Sequence, residues 1–141
     1  MAKYFVQRKL DTEGSTIYEY TAPGHFDCKT TRLHDKTGGG ANDAENCKMI
    51  MGITYFEPGG HTAFGANPLE SIYYILEGEM TLKTDDGETV LHEGDSFHCG
   101  GGVAKSVTNT GDVVCKMQVC LLPPQYSAVI RRSNIRSGSK R

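Results

Sequence analysis

Residues 94–109 constrain the fold of this chain more than any other segment. They read GDSFHCGGGVAKSVTN, in which strand-forming residues stand on both sides of the triple glycine 100–102. Glycine permits positive φ angles and a close approach of the backbone, and three glycines in succession disfavour any regular element. The segment therefore predicts two short strands joined by a glycine turn, with His98 before the turn and Lys105 after it.

Strand signals dominate the rest of the chain as well. Segments of β-branched and aromatic residues alternate with Gly, Asp and Asn turns, and no long amphipathic helical pattern is present. Strands are predicted at residues 15–20, 28–33, 48–56, 71–76, 79–83, 89–91, 103–109 and 113–122. Residues 38–43 are predicted to form a loop and 84–88 a hairpin turn. About ten short strands without long helices are typical of an all-β sandwich or barrel.

The pattern also predicts where one strand ends and which strands pair. The strand at 48–56 is predicted to end at the sequence Pro58-Gly59-Gly60, because proline and glycine both weaken strands. The strands at 71–76 and 79–83 follow each other closely, and we expect them to pair.

Residues 94–109 also resemble the second sequence motif of the cupin superfamily. Gly94, Gly100, Gly102 and Asn109 stand at the glycine, turn and asparagine positions of that motif. The metal-ligand position, which is normally histidine, is occupied by Lys105.

The first cupin motif is represented by its closing glycine, Gly78. Counting back from Gly78 places the glutamate position of the family at Ser71. The two histidine positions are occupied, in the two spacings that the family uses, by Gly65 and Asn67 or by Phe64 and Ala66. The resemblance covers about residues 48–122. It implies an all-β cupin double-stranded β-helix, a jelly-roll barrel, with extra N-terminal strands.

The metal-ligand positions of the family are all replaced in this chain. A charged lysine has three hydrogen-bond donors and no lone pair to give to a metal. The resemblance therefore implies a cupin scaffold without the usual metal centre, and we expect no metal or other cofactor. The alternative is a displaced metal site built from His61, Glu70 and His98, whose side chains suit a metal. In that case a local bulge would turn Glu70 inward.

A cupin barrel is open at one end, and the resemblance places a pocket there. Strand alternation puts Ser71, Tyr73 and Ile75 on one face and Lys105, Val107 and Asn109 on another. The predicted catalytic residues are Lys105, His98 and Tyr73, and the predicted ligand-binding residues are Phe64, Ala66, Asn67 and Ser71.

Three roles are open for Lys105. It binds a carboxylate or phosphate, it extends along the pocket wall into solvent, or it acts as a base or Schiff-base nucleophile. The first role implies an anionic small-molecule ligand. His25, His34 and His92 stand in turn-like or exposed contexts and are predicted to be surface residues.

These features favour a small-molecule-binding cupin, acting as a metal-independent isomerase, cyclase or lyase on a small organic acid or sugar-like ligand. One alternative is a non-catalytic accessory or ligand-sensing module. Another is a metallo-cupin with displaced ligands, which would be a dioxygenase, decarboxylase or isomerase. The fold alone does not choose among them.

Charge is distributed unevenly along the chain. Residues 131–141 carry five of the fifteen Lys and Arg and no acid, so the first 130 residues hold ten bases against seventeen acids. A basic tail can bind nucleic acid. No helix-turn-helix pattern or basic-aromatic platform accompanies it, however, and we expect no nucleic-acid partner.

Neither a membrane partner nor secretion is expected. No apolar run approaches the ~20 residues that cross a bilayer, and the N-terminus lacks the apolar core of a signal peptide. The five cysteines are odd in number and irregularly spaced, which indicates buried thiols in a reducing compartment. We therefore expect a cytoplasmic protein.

Three regions are predicted along the chain: N-terminal strands and a loop at 1–47, the barrel at 48–124 and a basic tail at 125–141. Residues 1–20 alternate and are rich in Tyr, Val, Ile and Phe. Outside the barrel such a segment would leave an exposed strand edge. Cupin dimers extend a sheet through comparable strands, so the resemblance implies a homodimer.

Overall fold

The computed structural model describes residues 19–20, 22–35 and 48–122. Within these residues the chain forms strands and no helix, which confirms the all-β prediction. The strands are β1 (Glu19–Tyr20), β2 (His25–Asp35), β3 (Ile50–Thr62), β4 (Gly65–Ala66), β5 (Glu70–Glu77), β6 (Glu79–Thr84), β7 (Gly87–His92), β8 (Ser96–Cys99), β9 (Ala104–Thr108) and β10 (Cys115–Leu122).

The strands form one continuous antiparallel sheet that wraps into a barrel. Its main path is β7-β6-β9-β3-β10-β5-β8, with β2 added beside β3, β1 beside β2, and β4 beside β9. β3 connects the two sides of the barrel, because it pairs with β10 along its first half and meets β9 near its end. This is the jelly-roll arrangement that the resemblance implied.

The core follows strand alternation. On β3, Ile50, Gly52, Thr54 and Phe56 are buried while the residues between them are partly exposed. The buried side chains from both sides of the barrel meet in one cluster, formed by Cys28, Phe56, Ile75, Met80, Leu91, Val107, Cys115 and Met117.

The expected pairing of the strands at 71–76 and 79–83 is wrong. β5 pairs with β10 and β8, whereas β6 pairs with β7 and β9. One residue, Gly78, connects β5 to β6, and its φ is 87°. Tight hairpins need two loop residues, so the chain turns a corner at Gly78 and enters the other side of the barrel. The predicted hairpin at 84–88 is confirmed, since Thr84 pairs with Gly87.

The strand at 48–56 does not end at Pro58-Gly59-Gly60, as was predicted, but continues to Thr62. The register with β2 shifts between Phe26 and Cys28, which marks a bulge. A Cβ atom on Gly60 would lie 2.4 Å from the Asp27 carbonyl oxygen, so this close approach requires glycine. The glycines therefore bend β3 from one side of the barrel to the other.

The predicted strand at 28–33 is confirmed within β2. Several predictions lie outside the described residues: the strand at 15–18, the loop at 38–43, the dimer-forming segment up to residue 18 and the tail at 125–141. Among the described residues there is no helix of the length and hydropathy that crossing a bilayer requires.

Candidate functional site

The barrel encloses a cavity of about 460 Å³. This volume lies in the range of small-molecule sites, which is about 300–1,000 Å³. The cavity wall is built from β2, β3, β4, β5, β9 and β10 and from neighbouring loop residues. Its apolar part includes Ile50, Phe56, Val107, Met117, Val119 and Leu121. A few polar side chains interrupt this surface, which is the usual composition of a ligand pocket.

Lys105 and Tyr73 line the cavity together. The Lys105 Nζ atom lies 5.3 Å from the centroid of the Tyr73 ring, within the range of a cation–π contact. The Tyr73 ring in turn stacks on Phe97, with 4.6 Å between the centroids. Among the described residues no carboxylate forms an ion pair with Lys105. The Lys105 ammonium therefore lies against an aromatic side chain, and no described carboxylate balances its charge.

Strand register explains this placement. Tyr73 lies on β5 between the buried Ser71 and Ile75, while Ile72 and Tyr74 on the opposite face are exposed. Lys105 lies on β9, where it pairs with Gly65 of β4, and Val107 continues the same inward face. The predicted alternation on these strands is confirmed.

β2 contributes a second polar group to the wall. Thr30 and Arg32 line the cavity from β2, and Thr54 lines it from β3. The Thr30 and Thr54 Oγ1 atoms lie 2.9 Å apart and share a hydrogen bond. Four residues stand side by side across the neighbouring strands β2, β3, β10 and β5. They are, in that order, Arg32, Gly52, Val119 and Tyr73. One row of inward residues thus runs from Tyr73 to Arg32.

The sequence prediction missed Arg32, Thr30 and Thr54. Their position depends on the pairing of β2 with β3, which no local pattern specifies. The only local signal is Thr54 itself, a polar residue in the buried row of β3. His25 was predicted to lie on the surface, yet it lines the cavity and its Nδ1 contacts the Pro23 carbonyl oxygen at 3.1 Å.

Three of the predicted ligand-binding residues line the cavity: Phe64, Ala66 and Asn67. Phe64 is 47% exposed, and the Asn67 Oδ1 atom accepts a hydrogen bond from the Leu69 N–H at 2.8 Å. Ser71 does not line the cavity. It is buried beneath the wall, and its Oγ atom has no hydrogen-bond partner within the described structure.

His98 is not part of the cavity lining. It is exposed, and its Nε2 atom lies 2.7 Å from Glu70 Oε2. Its register partner is Ile72, which is 51% exposed. His98 and Glu70 therefore occupy the outer face of β8 and β5, because each alternates with a buried neighbour, Cys99 and Ser71. The structure therefore places His98 away from the cavity in which it was predicted to act.

The displaced metal site is not assembled. The His61 ring stacks on Phe26 at 4.8 Å, and its Nδ1 contacts the Gly59 carbonyl oxygen at 3.1 Å. Glu70 and His98 contact each other on the outer face, and no bulge turns Glu70 inward. In the part of the chain that the structure describes, no three His, Cys, Asp or Glu side chains are grouped as metal ligands would be.

The usual cupin metal position does not fit a transition metal either. In the shorter spacing, Gly65 lies directly opposite Lys105 and contributes no side chain. Asn67 uses its carbonyl oxygen to accept the Leu69 N–H. Lysine places an ammonium where a ligand lone pair is needed, and a cation there repels a metal.

Two buried thiols, those of Cys115 and Cys28, are poor nucleophiles. Burial raises the pKa of the Cys115 thiol to about 11, and burial likewise raises that of Cys28. Both thiols stay protonated at neutral pH, and the thiolate is the reactive form.

Residues 52–122 match the cupin domain family. The chain belongs to the cupin family. It is 29% identical over 113 residues to a Mycobacterium tuberculosis protein named beta-D-galactosidase, covering 80% of this chain and 93% of that protein.

Solved structures share the fold. A predicted oxalate decarboxylase from Thermotoga maritima has a TM-score of 0.67 at 18% identity, over 84% of this chain and 99% of that chain. Protein Ylba from E. coli has a TM-score of 0.64 at 18% identity, over 79% of this chain and 43% of that chain. This cupin thus spans less than half the length of Ylba. At these identities the likeness shows the fold and carries no activity with it.

Proposed function

We propose that this cupin binds a small organic anion inside its barrel, with Lys105 as the main contact. The observation that carries the proposal is the charge of the cavity wall. The described lining residues include Lys105 and Arg32 and no Asp or Glu, although the chain as a whole has a net charge of −2. A partly buried cation in an apolar wall gains most from an anion that replaces its lost hydration.

The lining of the cavity supports a small organic acid or an acidic sugar. The wall is mainly apolar, so the ligand needs a carbon skeleton as well as a charge. The names of the M. tuberculosis and T. maritima relatives point to a sugar and to an organic acid. Whether the ligand is a sugar or an organic acid, the cations in the cavity wall favour one that carries a negative charge.

The reaction of the M. tuberculosis relative does not transfer directly. Most glycoside hydrolases use a pair of carboxyl groups that flank the bond to be broken. The described residues of this cavity wall offer no carboxyl group. Isomerase, cyclase or lyase chemistry on the bound acid would instead use Lys105 and Tyr73 for proton transfer. A non-catalytic module would bind the same acid and release it unchanged.

The proposal is tested by a thermal-shift screen of small carboxylates, phosphorylated metabolites and their neutral analogues, followed by calorimetric titration of each compound that binds. Lys105→Met keeps most of the side-chain stem and removes the charge. A charge-assisted hydrogen bond contributes about 1.5–3 kcal/mol, so the variant should bind the acid roughly ten- to a hundred-fold more weakly.

Lys116→Met is the matched control. Lys116 also places its Nζ over a tyrosine, 5.9 Å from the Tyr55 centroid, but it lies outside the cavity and contacts Glu77 at 3.3 Å. Its loss should leave acid binding unchanged. Equal binding by wild type and Lys105→Met, or equal binding of acids and neutral analogues, would show that the cavity does not select an anion.

A further inference from the structure

The hydroxyl pair on the cavity wall has one hydrogen-bond donor to spare. Thr30 and Thr54 share a hydrogen bond of 2.9 Å, and among the described residues neither hydroxyl has another partner. Each hydroxyl carries one proton. One proton serves the shared bond, whichever residue donates it, and the other has no acceptor.

Burial makes this spare donor significant. Thr54 is only 3% exposed, and both threonines line the cavity. Buried polar hydrogens are nearly always paired, because an unpaired one loses its bond to water without replacement. The described residues around the pair supply no acceptor, so the acceptor comes from what occupies the cavity.

The pair lies at a distance from Lys105 that a small ligand can span. Thr54 pairs with Met117 of β10, and Met117 pairs with Ile75 of β5, the next inward residue after Tyr73. Thr54 is therefore two strands from Ile75, about 10 Å at the backbone, and about 12 Å from Tyr73, which lies two residues away along β5. The inward side chains between Thr54 and Tyr73 are Met117 and Val119, which are apolar.

We infer that the ligand is an oxygenated acid, such as a hydroxy acid or a sugar acid. Its carboxylate binds Lys105, its carbon chain lies over Met117 and Val119, and a second oxygen accepts the free proton of the Thr30–Thr54 pair. This inference rests on the proposed function, which requires the acid alone. It adds the second oxygen and names the residues that select it.

Three six-carbon acids separate the contribution of the carboxylate from that of the second oxygen. Hexanoate has the charge and no further oxygen, 6-hydroxyhexanoate adds one hydroxyl at the far end, and D-galactonate carries hydroxyls along its chain. Calorimetric titration of the wild type should give tighter binding for at least one of the oxygenated acids than for hexanoate. One added hydrogen bond corresponds to roughly a tenfold difference in Kd.

Thr54→Val removes the hydroxyl and keeps the shape of the side chain. It should weaken binding of the oxygenated acid by about tenfold, so that this acid binds no more tightly than hexanoate, and it should leave hexanoate binding unchanged. Thr30→Val should do the same, and its half-buried position makes it the safer variant for folding. Lys105→Met should weaken all the acids alike. Thr81→Val is the control, since Thr81 and Thr110 form a similar hydroxyl pair, 2.7 Å apart, outside the cavity.

The outcomes distinguish this inference from the proposed function. Equal wild-type binding of hexanoate and both oxygenated acids would overturn the inference and leave the anion proposal intact. So would threonine variants that weaken hexanoate as much as the oxygenated acids. If none of the three acids binds the wild-type protein, the inference is wrong, and the broader screen of acids then decides the proposed function separately.

Discussion

Asn109 shows at the scale of one residue why the second cupin motif ends on an amide. Its side-chain nitrogen donates to the carbonyl oxygens of Phe56 and Val113, at 2.9 and 2.8 Å, and its oxygen accepts the Gly111 N–H at 3.0 Å. The residue is 1% exposed. Only an amide side chain supplies two donors and an acceptor without charge. Asn109 therefore joins β3 to the loop after β9, a structural role distinct from that of Lys105.

Replacing Asn109 with alanine should destabilise the barrel. The change leaves buried backbone groups without partners and should lower the free energy of unfolding by about 2–4 kcal/mol. Urea denaturation measures this. Asn67→Ala is the comparison, because Asn67 is exposed and its side chain makes one hydrogen bond, to Leu69. It should cost less than about 1 kcal/mol. Similar losses for the two variants would mean that the Asn109 amide is not the structural link described here.

Cavity-lining residues were predictable where a motif and strand alternation acted together. Lys105 occupies a fixed motif position and Tyr73 follows from the period of β5, and both line the cavity. His98 lies next to the glycine turn, and its sequence position did not show which face of β8 it occupies. Arg32 and Thr30 come from a strand whose partner begins at residue 50. Only the long-range pairing of β2 with β3 turns them inward.

Among the secondary-structure elements, the positions of the strands were predicted better than the pairing between strands. Propensity and turn residues located β5 and β6, but the one-residue connection at Gly78 sends them into different sides of the barrel. The glycines near residue 60 were interpreted as the end of a strand, whereas they bend β3 and let it continue. In both places glycine allows a tight change of direction, and the sequence does not show whether pairing resumes after it.

The corner at Gly78 can be tested against a matched glycine. Gly78 and Gly94 have φ angles of 87° and 90°, so alanine at either position pays a similar backbone cost, about 1–2 kcal/mol. At Gly78 the new Cβ would also lie 3.0 Å from the Cys115 Cα, while at Gly94 it would meet nothing within 4 Å. Gly78→Ala should therefore destabilise the protein by at least about 1 kcal/mol more than Gly94→Ala. If thermal or urea unfolding shows that the two variants lose equal stability, the corner at Gly78 is not closely packed against Cys115.

At the scale of the whole molecule, a cupin barrel encloses a cavity whose polar groups differ from those of the family motif. The fold follows from the glycines and from Asn109, which this chain keeps. The chemistry of the cavity follows from Lys105, Tyr73 and the residues of β2, none of which is a metal ligand of the motif. The fold was therefore predictable from the motif, whereas the part of the cavity wall that β2 contributes had to be seen in three dimensions.

The donor set of the cavity predicts that the purified protein carries no stoichiometric transition metal. Elemental analysis of protein prepared without added metal should find far less than one Mn, Fe, Ni or Zn per chain, because an ammonium stands at the usual ligand position. A value close to one per chain would contradict this. His25, which lines the cavity, would then be the first ligand to examine.

The homodimer remains a prediction. β1 pairs with β2 and so extends the sheet beside the barrel. Light scattering at micromolar concentration should give the mass of a dimer, and deletion of residues 1–10 should shift it toward the monomer. A stable full-length monomer, or a dimer unaffected by the deletion, would show that the N-terminal segment does not form the interface.

We propose above that the barrel of this cupin binds an organic anion through Lys105. The most direct measurement is a crystal structure of the protein with the tightest-binding acid from the screen. We predict a single acid inside the cavity, with a carboxylate oxygen about 2.8 Å from Lys105 Nζ, the length of a charge-assisted hydrogen bond. An acid bound on the outer face, or one in the cavity with its carboxylate away from Lys105, would contradict the claim.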